Sequence, residues 1–353
     1  MNINIIGVCN NLSYGIVTKN IVKALSELGH HVHLSPLYPP EYNETEREFI
    51  KPALDKPYDE YAPQILIWHQ GDLDKFREGS GKKIGFPIFE LDTLTATERM
   101  SMNSCDELFV CSKWAKQICN NNNIFKPVHV VPLGVDSTIF TNRNNRPNDI
   151  FNITCIGKIE LRKGMECIPQ IIKLAFPNGG NYKLRMSWNN PFFTKKEVKE
   201  WEDYYVKELG DNVEFVPPLS QDGMVDLISS SHVILSASKA EGFNLSLMEA
   251  LACGTHVIAL NYSAHTEYLT NDNAYLVEPT GFEPAIDGTN WFVGQGSWAT
   301  YDYQDFANKL TNLYDVHWYG LGLYDPNLKG IDTAKEFSWT NTVRTIIENL
   351  RSI

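Results

Sequence analysis

The sequence contains no dense run of lysine or arginine, no Cys-x-x-Cys pair and no apolar stretch long enough to span a bilayer. Each absence removes a class of function. Lys and Arg number 31 against 43 Asp and Glu, a net charge of -12, which argues against nucleic acid as a partner and against unaided docking on an anionic membrane surface. The seven cysteines, at positions 9, 105, 111, 119, 155, 167 and 253, follow neither a disulfide framework nor a zinc spacing. They read as reduced, buried thiols of a cytoplasmic protein. The first residues, "MNINIIGVCNNLSYG", lack the basic region and apolar run of a secretory leader. Neither GxGxxG nor GxxxxGK[ST] occurs, so a dehydrogenase fingerprint and a Walker phosphate loop are both unsupported. No DxD stands out in a suitable loop, and no metal is expected.

What is present is ordinary globular composition, 43% hydrophobic and 21% charged, over 353 residues. That length exceeds what one core usually fills, so two domains are expected. Short β-rich runs alternate with amphipathic segments, the pattern of parallel sheets covered by helices. "NINIIGV", "HVHLSPL", "QILIWHQ", "KKIGFPIFEL", "ELFVCS" and "VHVVPLGV" supply strands of a first domain over 1–145. The polar, Pro-containing "TNRNNRPND" at 141–149 reads as a linker. "FNITCIGKI", "YKLRMSWNN", "NVEFVPPL", "HVILSAS", "THVIALNY" and "AYLVEP" build a second α/β domain over 150–330. Residues 281–303, rich in glycine and aromatics without periodicity, read as a loop-rich insertion, and 331–353 as a terminal helix with Val343, Ile346, Ile347 and Leu350 on one stripe.

Two loops carry the chemistry. "SASKAEGFNLSLMEALACG" passes from a buried strand through Glu241, Gly242, Phe243 and Asn244 into a helix that begins near Leu245 and carries Glu249. Ligands of open parallel sheets sit at that carboxyl edge. There, backbone N–H groups from Phe243 to Leu247 favour a phosphate. "CIGKIELRKGMECIPQII" gathers Lys158, Arg162 and Lys163 around Gly157 and Gly164 at the corresponding edge, where a diphosphate would be neutralised. Taken singly, each Glu also fits a solvated helix residue, and the cations fit a solvated basic turn.

In combination, "GKIELRKGM", "NVEFVPPL", "HVILSASKAEGFNLSLMEALACGTHVIA" and "VVPLGVDSTIF" resemble the retaining, nucleotide-sugar glycosyltransferases of family 4. "SYGIVTKNIVKALSELGHHVHL" and "DELFVCSKWAKQI" extend the likeness to the first domain. The resemblance implies the α/β GT-B fold: two facing Rossmann-like domains with parallel sheets and an inter-domain cleft, the first on the acceptor side, the second binding the nucleotide sugar. It also implies a terminal helix that packs back on the first domain. Glu241 matches the glutamate that contacts donor-sugar hydroxyls, beside the Gly242, Phe243, Asn244 and Leu245 backbone. Glu249 matches the one that accepts from ribose hydroxyls. Lys163 matches the diphosphate lysine. Lys158 stands where an arginine is usual, so its two-pronged contact is lost and Arg162 is available to compensate. Gly15 in "NNLSYG" is what remains of a glycine pair near the diphosphate. Glu90 occupies the region of a common active-site histidine and reads either as an acceptor-side or sugar-contacting group or as a structural carboxylate. His69, ending the strand "LIWH", reads either as a group facing the cleft or as a satisfied structural histidine.

The implied function is retaining, metal-independent transfer of a hexose-type sugar from a UDP- or GDP-type nucleotide sugar to a hydroxyl acceptor, in glycan or glycoconjugate synthesis. Glu241, Lys163, Lys158 and Glu90 are the catalytic candidates, no further cofactor is required, and the acceptor is a glycan, a lipid-linked sugar or a protein. A non-catalytic binding subunit of the same fold is the rival, with a nucleotide-sugar epimerase behind it. Base, sugar and acceptor have no decodable motif.

Overall fold

The structure is a computed structural model that describes residues 1–188, 190–288, 292–320 and 325–351. Residues 189, 289–291, 321–324 and 352–353, which fall within the expected strand "YKLRMSWNN", the insertion, the second domain and the terminal helix, lie outside the described residues.

In chain order the first elements are β1 (Asn2–Gly7), α1 (Ser13–Glu27), β2 (His31–Pro36), α2 (Glu44–Asp55), β3 (Gln64–Ile67), β4 (Lys83–Gly85), α3 (Ala96–Asn103), β5 (Glu107–Val110), α4 (Lys113–Asn121) and β6 (Val128–Val130). There follow β7 (Phe151–Gly157), α5 (Ile168–Ala175), β8 (Tyr182–Trp188), α6 (Lys195–Leu209), β9 (Val213–Phe215), α7 (Gln221–Ser229), β10 (Val233–Ser236), α8 (Leu245–Ala252) and β11 (His256–Leu260). The chain ends with β12 (Tyr275–Val277), β13 (Pro279–Ile286), β14 (Val293–Tyr301), α9 (Tyr303–Tyr319), α10 (Leu328–Glu336) and α11 (Trp339–Arg351). Every strand named from the sequence is present. Among the described residues no helix is long and apolar enough to cross a membrane.

Two compact units result: Met1–Gly134 with Phe337–Ile353, and Val135–Glu336. The first holds a six-stranded parallel sheet in the order β2-β1-β3-β4-β5-β6, and the second another in the order β12-β11-β10-β7-β8-β9. Parallel strands covered by helices are apolar on both faces, and β1, β3 and β5 are buried almost end to end. Helix starts follow local rules: Asn43 with Glu46, Thr95 with Glu98, and Thr194 with Glu197 each form a reciprocal capping box. All seven cysteines are buried as thiols, and none forms a disulfide.

Three segments differ from the sequence reading. Residues 281–303 are not a loop-rich insertion: they contribute most of β13 and β14, a twisted antiparallel pair with register shifts near Pro279 and Pro284. Prolines and glycines hid the strand pattern, and the pair is anchored instead by Lys239, whose carbonyl accepts from Ala299 N–H at 3.2 Å and whose ammonium meets Glu283 at 2.8 Å. The polar stretch 141–149 is not a bare linker. Arg143 forms ion pairs with Asp222 and Asp226, and Arg146 donates to the Ser231 carbonyl at 2.9 Å and to that of Gly254 at 2.7 Å, within the second unit. The last stretch divides into α10, which packs on α8, and α11, which packs on α1. Val343, Ile346 and Ile347 form the buried stripe of α11, together with Trp339 and Thr342.

A Cβ placed on Gly134 would collide with the backbone of Ser338 and Trp339. Gly134→Ala is therefore expected to loosen α11 and lower the thermal midpoint by about 2 °C or more, read by differential scanning calorimetry, with a fresh protease cut near residue 337.

Candidate functional site

In the second sheet the chain leaves β7 toward β8 and β9, then returns to the other side of β7 through β10. The loops after β7 and β10 therefore diverge from neighbouring strands, the crevice in which open α/β sheets hold ligands. "GKIELRKGM" and "KAEGFN" are these two loops.

They meet through a buried charge. Glu241 is only 4% exposed, and its Oε1 accepts from Lys163 Nζ at 2.5 Å while its Oε2 accepts from Arg162 at 3.1 Å. Burial by itself would raise the carboxyl's pKa, but Lys163 and Arg162 outweigh it and hold the group ionised, well below the usual range. Arg162 also donates to the Ala240 carbonyl at 2.8 Å and to Glu160 at 3.0 Å, and Lys239 N–H donates to the Arg162 carbonyl at 2.8 Å. The close approach depends on Gly164, which has φ +66°: a Cβ there would strike the Ala237 carbonyl.

This geometry redistributes the expected roles. Arg162, expected as a compensating phosphate cation, is buried and bound to protein carboxylates. Lys158 is the more accessible cation, with 39% of its side chain exposed, 3.5 Å from Glu160 and with its ammonium over the Phe192 ring. Lys163 keeps 14% of its side chain accessible.

The turn into α8 is held by residues that carried no motif. Asn244 takes the left-handed conformation, φ 73°, and its Nδ2 lies 3.1 Å from His265 Nε2 and 3.4 Å from both Ser236 Oγ and Glu241 Oε1. His265 Nδ1 lies 3.0 Å from the Leu260 carbonyl, so Nδ1 carries the proton and Nε2 accepts from Asn244. Burial lowers the His265 pKa against the pull of Glu241. Ser263 Oγ accepts the Glu241 N–H at 2.8 Å, and the Tyr268 hydroxyl donates to the Phe243 carbonyl at 2.8 Å and the Asn244 carbonyl at 3.1 Å. Ser263, His265 and Tyr268 follow β11, which lies beside β10, so strand adjacency is the one signal that points to them. The α8 start has no side-chain cap, which leaves its first N–H groups without a side-chain acceptor. The Leu247 N–H, expected free, bonds to the Asn244 carbonyl at 3.2 Å. Gly242 and Phe243 are buried, and the Phe243 ring packs on Tyr268.

Glu249, one turn into α8, is part-buried and forms no ion pair among the described residues. Burial pushes its carboxyl up to about 8. The two glutamates thus sit in opposite electrostatic settings, one tied to cations and the other without them.

In the first unit, Gly15 lies in the first turn of α1, where a Cβ would strike Asn10, so the single glycine is sterically required. Glu90 follows β4, is part-buried, and faces Tyr14, whose pKa is raised well above normal by burial and then by Glu90. His69 is exposed and lies edge-on to Tyr14 and Trp68.

The sequence profile described as "Glycosyl transferases group 1" matches residues 138–295, which hold both loops and both glutamates. Over these residues, a little under half of the chain, the protein is similar to the group 1 glycosyl transferases. Curated relatives share the likeness over longer stretches. A phosphatidylinositol N-acetylglucosaminyltransferase subunit of Homo sapiens is 26% identical over 57% of this chain and 43% of its own length. D-inositol 3-phosphate glycosyltransferase of Paenarthrobacter aurescens is 23% identical over 64% of this chain and 51% of its own. The chain thus spans about half or less of these relatives' length. Among solved structures, sucrose-phosphate synthase from Thermosynechococcus elongatus superposes with TM-score 0.72 at 16% identity, covering 100% of this chain and 98% of that one. Anabaena HepE in complex with UDP and glucose gives TM-score 0.72 at 13% identity, covering 100% of both chains. At such identities the likeness shows the fold, which is of the GT-B type.

Two outcomes follow for this site. Arg162→Met leaves Glu160 and Glu241 short of a buried partner and is expected to cost about 3 kcal/mol or more, measured by urea unfolding of the second unit's transitions. Glu249 has a folded pKa of about 8, above its unfolded value, so ionisation in the unfolded chain removes stability as pH rises from about 4.5 toward 8. Glu249→Gln should therefore gain in thermal midpoint over the parent progressively across that window, with no gain at pH 4; a constant difference at all pH values would contradict the assignment.

Proposed function

We propose that the protein is a retaining, metal-independent glycosyltransferase that moves a hexose-type sugar from a nucleoside diphosphate sugar to a hydroxyl acceptor. The observation that carries this reading is the buried Glu241 carboxylate holding Lys163 and Arg162 beside the uncapped start of α8, at the switch point of a parallel sheet. The group 1 match over 138–295 and the UDP named in the HepE complex support a nucleotide-sugar donor.

On this reading the second unit takes the donor and the first unit takes the acceptor. When the donor arrives, its diphosphate competes with Glu241 for the Lys163 ammonium, and the uncapped N–H groups of Leu245 and Ser246 meet the other phosphate oxygens. Lys158, part-buried beside Glu160 and the Phe192 ring, adds a second cation. Negative charge that builds on the leaving diphosphate meets these groups already in place. Glu241 has two oxygens and retains acceptor capacity for a sugar hydroxyl while Arg162 stays bound. Glu249, free of cations, accepts from the two ribose hydroxyls, and that contact favours its ionised form. The acceptor oxygen attacks on the face that the diphosphate leaves, and its proton passes to a leaving-group oxygen. No enzyme nucleophile is assigned. Glu90 is the candidate for orienting the acceptor hydroxyl or the sugar. A cytoplasmic location is part of the proposal, and the buried thiols, none of them in a disulfide, support it.

The test is calorimetric binding of UDP- and GDP-sugars to the full chain, followed by slow donor hydrolysis. Glu249→Ala is expected to weaken nucleotide binding by about tenfold or more, whereas Glu241→Ala is expected to lower turnover by about a hundredfold. Donor binding without hydrolysis or transfer would favour a non-catalytic binding protein, and release of an epimerised nucleotide sugar would favour an epimerase. No binding of any nucleotide sugar would sink the proposal.

A further inference from the structure

The first sheet has a switch point of its own, between β1 and β3, because the chain runs from β1 out to β2 and then returns through β3 to the other side. The segments that leave these three adjacent strands carry aromatic rings. Tyr14 lies in the first turn of α1 after β1, Tyr38 lies two residues beyond β2, and Trp68 directly follows β3. Their rings form a faceted wall: Tyr14 and Trp68 are 5.4 Å apart at 51°, and Tyr38 and Trp68 are 6.0 Å apart at 59°. Tyr14 is fixed from beneath, its hydroxyl donating to the Ile88 carbonyl at 2.7 Å and accepting from Ile88 N–H at 3.2 Å. Trp68 Nε1 points to Asp72 at 3.4 Å. Tyr38 is 58% exposed.

A sheet does not need three large rings at the one edge where its ligands bind, one of them mostly in solvent. From this convergence we infer that Tyr38 and Trp68 form a saccharide-binding platform, and that the acceptor of the proposed transfer is a carbohydrate. The inference rests on the transferase reading. A sugar ring has an apolar C–H face that covers an aromatic ring, and a rim of hydroxyls that seeks carboxylate and imidazole partners. Such groups border the wall: Asp72 beside Trp68, His69 exposed 4.8 Å from both the Tyr14 and Trp68 ring centres, and Glu90 near Tyr14. An acyl chain would need a continuous aliphatic surface. In the stretches that directly leave β1 to β4, residues 8–14, 37–43, 68–74 and 86–95, the large exposed apolar side chains are Leu12 at 47% and Tyr38 at 58%, too little to hold one.

The experiment titrates the full chain by calorimetry with three kinds of probe: free gluco-, galacto- and manno-configured di- and trisaccharides, phosphatidylglycerol vesicles, and UDP or GDP. At least one saccharide is expected to bind. Trp68→Ala and Tyr38→Ser should each weaken it by about tenfold or more, the loss usual for removing a stacking ring, while nucleotide affinity stays within about twofold. Trp68→Phe should keep most of the binding. Tyr38 is exposed, so its variant tests the platform even if Trp68→Ala misfolds. Saccharide binding that is absent, that survives both variants, or that is replaced by vesicle binding overturns the platform. Nucleotide binding retained in that case leaves the transferase reading standing; loss of nucleotide and saccharide binding together in the parent chain overturns both.

Discussion

A carboxylate that is almost wholly out of water must be matched by cations or it does not stay ionised. Glu241 is that carboxylate, and its needs organise the edge of the second sheet. Lys163 and Arg162 reach it from the neighbouring strand's loop, Gly164 lets the two loops close to contact, and the Lys239 amide on the Arg162 carbonyl ties them. On the proposed reading, the cation offered to a phosphate and the carboxylate offered to a sugar are stored against each other. A ligand that takes one would then share the other, which would couple recognition of diphosphate to the state of the sugar contact.

Glu249 shows how far environment separates two glutamates eight positions apart. It lies on a helix whose other residues are mostly core, it faces no cation among the described residues, and burial raises its pKa to about 8. On the proposed reading, hydroxyl donors that satisfy it would favour its ionised form. Asn244 connects the two settings, since its left-handed backbone turns the chain into α8 while its side chain touches Glu241 and His265.

Much of this was legible in one dimension. The βα alternation, the strand runs and the pairing of "GKIELRKGM" with "KAEGFN" come from local periodicity and from residue types that only a few backbone settings suit. The β13–β14 pair was not legible, because Pro279, Pro284 and several glycines mask a strand whose anchor, Lys239, lies forty residues earlier. Arg162 departs from its expected role for a related reason. A charge cluster in sequence shows how many cations are near, and burial decides which of them remain available.

Local pattern was enough to specify two parallel α/β sheets, a glycine-lined turn between two glutamates and a lysine-bearing loop, since strand, helix and turn preferences act over a few residues. Only the folded chain decided that Arg162 belongs to the protein while Lys158 and Lys163 retain exposure, that His265, Ser263 and Tyr268 brace the turn, and that Tyr38 and Trp68 meet Tyr14 beside the first switch point. Those outcomes depend on strand order, which brings loops from distant parts of the chain to one edge, and on burial, which no single residue carries in its own neighbourhood of sequence.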